Sequence, residues 1–131
     1  MMNEVVSGIM STVLKTVTPT DNLQTVKEIL IGNRIHHIPV VEGKKLVGLI
    51  TTYDLFKVNI DQKDYINTKV GDVMTRKLAV IEPNDKVGTA AEIFMEHLFH
   101  AVPVVKDGDL VGIVTSFDVL KYEYNKEYPP R

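Results

Sequence analysis

The stretch His36-His37-Ile38-Pro39-Val40-Val41, followed by Leu46-Val47-Gly48-Leu49-Ile50-Thr51-Thr52-Tyr53-Asp54, decides the fold because it is written a second time. Sixty-four residues on, the chain reads His100-Ala101-Val102-Pro103-Val104-Val105, then Leu110-Val111-Gly112-Ile113-Val114-Thr115-Ser116-Phe117-Asp118. The same offset places Val6 on Val70, Met10 on Met74, Pro19 on Pro83 and Asp21 on Asp85 without a gap. Residues 6–57 and 70–121 are identical at 18 of 52 positions, and many other pairs exchange one apolar side chain for another. Two such units in one small chain are expected to pack about a pseudo-twofold axis, so that any ligand site comes in two related copies.

Each unit reads β-α-β-β-α, an α+β fold. A short β-like stretch opens it, Val13–Val17 and Lys77–Ile81, followed by the turns Thr18-Pro19-Thr20-Asp21 and Glu82-Pro83-Asn84-Asp85. Proline fixes its own φ and keeps the residue before it extended. Asp21 and Asp85 then stand where an N-cap belongs. Leu23, Val26, Ile29 and Leu30, and their copies Val87, Ala90, Ile93 and Phe94, fall on one helical stripe. Gly32-Asn33 supplies a stop for the first helix. Two apolar strands follow, joined by Glu42-Gly43-Lys44-Lys45 in one copy and Lys106-Asp107-Gly108-Asp109 in the other. Asp-Gly is a strong hairpin signal. Both strands are apolar on both faces, as in sheets covered on two sides. Thr51-Thr52-Tyr53-Asp54 and Thr115-Ser116-Phe117-Asp118 open a second, shorter helix. The expected organisation is repeat 1 over 6–57, a polar linker over 58–69, repeat 2 over 70–121, and a Tyr-rich tail over 122–131 that a partner would order.

Each repeat is smaller than a comfortable single core, so the 131-residue chain is expected to form one module whose halves share a core. Apolar (44%) and charged (24%) fractions are those of an ordinary globular protein. A net charge of −2, with a pI near 6.1, argues against nucleic acid as the partner. The chain has no cysteine, which excludes disulfides and thiolate metal sites. No signal-like N-terminus and no run of about 20 apolar residues is present, so the expected location is the cytoplasm.

The feature that carries chemistry is Gly48-x-x-Thr51-x-x-Asp54, repeated as Gly112-x-x-Thr115-x-x-Asp118. It sets a close-approach glycine on a strand, then a hydroxyl and a carboxylate at a helix start. Exposed amides there favour an anion, and a carboxylate can chelate the two hydroxyls of a ribose. The plainer reading is that Thr51 and Asp54 only cap the helix. All four histidines, His36, His37, His97 and His100, lie just ahead of the Pro-containing strand. They could donate to a phosphate, sit as hydrogen-bonded corner residues, or hold a metal; the absence of a carboxylate or thiolate cluster makes the last the poorest. No nucleophile elbow, zinc-protease motif or phosphate loop occurs, so no enzymatic activity is expected.

In this order and twice over, these residues resemble a pair of cystathionine-β-synthase (CBS) domains. The resemblance rests on Val6-x-x-Ile9-Met10, Pro19-x-Asp21, His36-His37-Ile38-Pro39-Val40 and Gly48-x-x-Thr51-x-x-Asp54, with their copies, and covers residues 6–121. It implies a regulatory module binding AMP, ADP, ATP or S-adenosylmethionine in two clefts between repeats, with no required cofactor. By that resemblance Asp54 and Asp118 hold ribose hydroxyls, and Thr51 and Thr115, with Ser116 beside it, contact phosphate or sugar. Adenine rests near Ile38, Pro39, Leu49, Val102, Pro103 and Ile113, with main-chain contacts around Thr18 and Glu82. The family draws each cleft from both repeats, which pairs Asp118 with His36 and His37, and Asp54 with His100. The strongest AMP-binding pattern has His-Arg before the strand; here His37 and Ala101 take arginine's place, so the sites are expected to be unequal, with the Asp118 site the stronger.

Two functions follow from different classes. The first is a nucleotide sensor, homodimeric, that passes occupancy to an effector protein. The alternative is a scaffold module that has lost nucleotide binding. A metal sensor built on the histidines is a third. Charge and hydropathy lead us to expect a soluble protein with neither membrane nor nucleic acid as a partner.

Overall fold

A computed structural model describes residues 2–97 and 100–130, and divides into two compact units. One comprises Lys15–Leu78; the other joins the segment up to Leu14 with the chain from Ala79 onward. The sequence repeat and the compact unit are therefore cut at different places. Each unit takes the Val-x-x-(Ile/Val)-Met segment of the opposite repeat.

In the unit Lys15–Leu78, helix α1 (Leu23–Asn33) leads into strands β1 (His37–Glu42) and β2 (Lys45–Thr51), and then into α2 (Thr52–Val58). The strands form an antiparallel hairpin that pairs His37 with Thr51 and Val40 with Gly48, with a bulge at Val40/Val41. Its two-residue loop has only Gly43 at positive φ (62°), the II′ pattern that matches strand twist. The opening β-like stretch is reduced to a parallel bridge, Val17 to Val40. Val17 N–H donates to the Pro39 carbonyl, and Val41 N–H to the Val17 carbonyl. That bridge asks nothing of the Pro39 nitrogen, which is why a proline is tolerated inside β1. On the other side of the hairpin Leu49 and Thr75 exchange both backbone hydrogen bonds.

The residues read as a linker are built into this unit. Gln62–Asn67 forms a 3-10 helix that buries Tyr65, and Leu23 N–H donates to the Thr68 carbonyl. The core gathers Val17, Leu23, Val26, Ile38, Val40 and Ile50 with Tyr65, Val70 and Met74.

The second unit repeats the plan with α3 (Val87–His97), β3 (Ala101–Lys106), β4 (Asp109–Thr115) and α4 (Ser116–Glu127). The hairpin pairs Ala101 with Thr115 and Val104 with Gly112, and its loop has Asp107 at φ 54° and Gly108 at φ 84°, the I′ geometry that Asp-Gly predicts. Ile81 bridges Val104, and Ser11 bridges Ile113. Val6 N–H donates to the Asp85 carbonyl and Ser7 N–H to that of Pro83, as Val70 and Gly71 do to Asp21 and Pro19 in the other unit. The core holds Val6 with Ile81, Val87, Phe94, Val102, Val114 and Val119. Each core thus takes side chains from both sequence repeats, which is how two pieces of sub-critical size reach stable burial.

Three local readings are corrected. Asp21 and Asp85 do not cap helices; their carboxylates accept from the Thr18 and Glu82 amides and close the proline turn. The cap of α1 is the next residue, Asn22, whose Oδ1 accepts from Thr25 N–H at 2.9 Å. The stop of α1 is likewise not Gly32, which stays helical, but Arg34 in the left-handed region at φ 52°. The tail, too, is helical as far as Glu127. Tyr122 donates to the Glu4 carboxylate, which lowers that carboxyl and raises the phenol relative to their ordinary values. No helix of the described residues is long and apolar enough to cross a membrane.

Candidate functional site

The Thr-x-x-Asp motif forms a capping box in both units. Thr51 Oγ1 accepts from Asp54 N–H at 3.1 Å, and Asp54 Oδ2 accepts from Thr51 N–H at 2.9 Å. Thr115 and Asp118 do the same at 3.1 and 2.8 Å. This is the reciprocal arrangement that satisfies two otherwise orphaned donors at a helix start. The first amide of each helix is also taken, Thr52 N–H by the His36 carbonyl and Ser116 N–H by the His100 carbonyl, both at 3.0 Å. Of the first three amides, only those of Tyr53 and Phe117 keep no partner among the described residues. The open cluster of amides expected for anion binding is thus reduced to one per helix.

The glycines of the motif answer to packing inside their own unit. A β-carbon on Gly48 would stand 2.6 Å from Met74 Sδ and 3.1 Å from the Thr75 carbonyl oxygen. On Gly112 it would stand 2.5 Å from Met10 Sδ and 3.1 Å from the Ser11 carbonyl oxygen. The thioethers could swing away, but the carbonyls are fixed by the Leu49–Thr75 and Ile113–Ser11 bridges. Close approach is real; the approaching group is a methionine and a neighbouring backbone.

Beyond the caps the two carboxylates differ. Asp54 is 3% exposed and is the one buried charged or polar side chain among the described residues. Its Oδ2 also accepts from Thr51 Oγ1 at 3.1 Å, and its Oδ1 from Thr75 Oγ1 at 2.9 Å. Asp118 is half-buried, and among the described residues its carboxylate accepts only from the Thr115 amide. Thr75 was not visible as a site residue from the sequence. It lies 21 residues from Asp54, beyond any helical or strand period, and only its alignment with Ser11 marks it.

The remaining candidates are placed as follows. Ile38 and Val102 have no exposed surface, and Pro39 and Pro103 are buried, so Ile38 and Val102 serve their own cores. Thr18 and Glu82 use both N–H and carbonyl in the turn with Asp21 and Asp85. His36 and His100 are exposed at the helix-to-strand corner, and His37 is half-buried. His97 lies 4.0 Å from Glu96. Among the described residues no three His, Asp or Glu side chains converge as a metal site, and no buried side-chain polar atom lacks a partner. An open groove of about 520 Å³ runs along Tyr53, Leu55, Phe56, Lys57, Asn59 and Ile60. None of the nucleotide candidates lines it.

Comparison with known proteins gives a consistent answer. The family model described as CBS domain matches twice, at residues 6–61 and 70–125. The chain is 34% identical over 137 residues to the CBS domain-containing protein CBSX1, chloroplastic, of Arabidopsis thaliana, covering 82% of this chain and 58% of that protein. It superposes on the crystal structure of MJ1225 from Methanocaldococcus jannaschii with a TM-score of 0.86 at 28% identity, over 93% of this chain and 48% of that one. It superposes equally well, at 0.86 and 27% identity, on CBSX2 of Arabidopsis thaliana in complex with AMP, over 95% of this chain and 99% of that one. The chain spans about half the length of the first two of these relatives.

Proposed function

The chain belongs to the CBS-domain family, and from that premise we propose that it is a regulatory module sensing an adenine nucleotide, with AMP the first candidate. The observation that carries this reading is the capture of AMP by CBSX2, a chain of matching extent and fold. The site chemistry supports it. Asp118 keeps acceptor positions at a helix start, the arrangement that suits the vicinal hydroxyls of a ribose. Thr115 and Ser116 stand next to it on the same turn. We assign phosphate contact to His36 and His37, whose ring N–H groups are donors for an anion. ATP, ADP and S-adenosylmethionine are the competing ligands within the same class.

Titration calorimetry with AMP, ADP, ATP, S-adenosylmethionine and NADH tests the reading. Binding of one of them at about one site per chain is the expected result, and no heat from any would favour the scaffold reading. Replacing His36 and His37 together by alanine should weaken AMP at least tenfold and adenosine little. Equal losses for the two would remove the phosphate assignment.

A second copy of the chain is the proposed partner, along with an effector protein. Tyr53 and Phe56 on α2, and Phe117 and Leu120 at the equivalent places on α4, are 65 to 86% exposed. Apolar side chains presented at matching positions of both repeats are a surface that association would cover. Light scattering should give twice the 14.7 kDa chain mass at micromolar concentration. A monomer at all concentrations would remove the dimer from the proposal.

A further inference from the structure

The two copies of the motif share its glycine, threonine and aspartate but not the same acceptor capacity. An ionised carboxylate offers about four lone-pair positions. Asp54 fills three of them with protein donors, the Thr51 amide, the Thr51 hydroxyl and the Thr75 hydroxyl. Among the described residues, Asp118 fills one, with the Thr115 amide. A ribose presents two adjacent hydroxyls, and holding both requires two free positions. Asp118 has about three and Asp54 about one. The threonine hydroxyls follow suit. Thr51 Oγ1 spends its proton on Asp54, whereas Thr115 Oγ1 accepts from Asp118 N–H and donates to no described residue.

The decisive difference is at one pair of aligned positions. Thr75 and Ser11 occupy the same place in their units, each bridged through backbone to the second strand of the hairpin, at Leu49 and at Ile113. Thr75 reaches the buried Asp54, while Ser11 makes no side-chain hydrogen bond to Asp118. We infer that Thr75 is a specificity-determining residue: its hydroxyl withholds Asp54 from ligand and leaves Asp118 as the single ribose-binding carboxylate. The inference rests on the nucleotide-sensing reading above and adds to it a cause for site inequality that is independent of the histidines. A chain with one open and one latched carboxylate responds to nucleotide with a single hyperbolic transition. A chain with two open ones could couple its sites.

The test is the stoichiometry of AMP binding by calorimetry on the full chain. Wild type should take one AMP per chain, and Thr75→Val, which keeps the shape and removes the donor, should take two. One site in Thr75→Val would overturn the inference. Should that variant not fold, Ser11→Thr decides. Introducing the latch beside Asp118 should weaken AMP at least tenfold, and unchanged affinity would overturn the inference equally. Two equal sites in the wild type would sink the latch while leaving the sensor reading intact. No AMP binding by wild type would instead sink the sensor reading on which it stands.

Discussion

Replacing Val6 by aspartate should abolish the folded state of the unit that contains it. Val6 has no exposed surface and lies in the cluster with Ile81, Val87, Phe94 and Val102. Its burial contributes about 1.5–3 kcal/mol, and an unpaired carboxylate in its place would add several more to the cost. A loss of about 4 kcal/mol or more is comparable to the whole stability of a small domain, which is on the order of 5–15 kcal/mol. Urea denaturation followed by circular dichroism reads the effect directly. Val13→Asp is the matched control, with the same change of charge in the same segment at a residue 88% exposed. It should shift the midpoint little, since surface substitutions stay within about 0.5 kcal/mol. If both variants unfold alike, the segment acts through charge or local propensity, and its place in the core is wrong.

The second large effect separates the two aspartates. Asp118→Ala should raise the Kd for AMP about a hundredfold, the loss of roughly 3 kcal/mol expected when hydrogen bonds to a charged acceptor disappear. Its stability cost should be small, since it loses a half-buried capping partner, typically worth about 1 kcal/mol. Asp54→Ala should do the reverse. It strips a buried carboxylate from the Thr51 amide and the Thr75 hydroxyl, and stranded buried donors cost about 1–3 kcal/mol each. A chain destabilised by about 2–4 kcal/mol that still binds AMP is therefore expected. Calorimetry and denaturation on both variants give the comparison. Equal losses of affinity would show that both carboxylates hold nucleotide, and equal losses of stability would remove the distinction between latched and open.

These two experiments bear on different levels of the molecule. Val6 tests how the core is assembled, and the aspartates test what the finished fold leaves available at its surface. The shared motif cannot predict the second outcome, because both copies satisfy it identically. The difference enters through Thr75, a residue outside the motif.

Much of the fold was legible in the sequence because its determinants are local. The gapless repeat, the apolar β1–β2 and β3–β4 pairs, the Asp107-Gly108 turn and the Thr-x-x-Asp capping boxes each depend on residues within a few positions of one another. Turn chemistry and capping geometry act over that range, so pattern is enough to read them. One-residue competitions were already harder. Asp21 and Asn22 can both cap, and the proline turn claims Asp21 through the Thr18 amide, leaving α1 to Asn22.

What only the tertiary structure decided are the contacts that join distant residues. It alone put Val6 into a core with residues 75 and more positions away and Tyr65 into the core of the first hairpin. It alone set Met74 and Met10 against the glycines of the motif, and brought the Thr75 hydroxyl to Asp54. Such contacts have no period and no spacing rule. They form because burial is non-directional and each hairpin covers itself with whatever apolar segment the chain can deliver. The repeat therefore foretold two equivalent motifs, and only the fold made them chemically unequal.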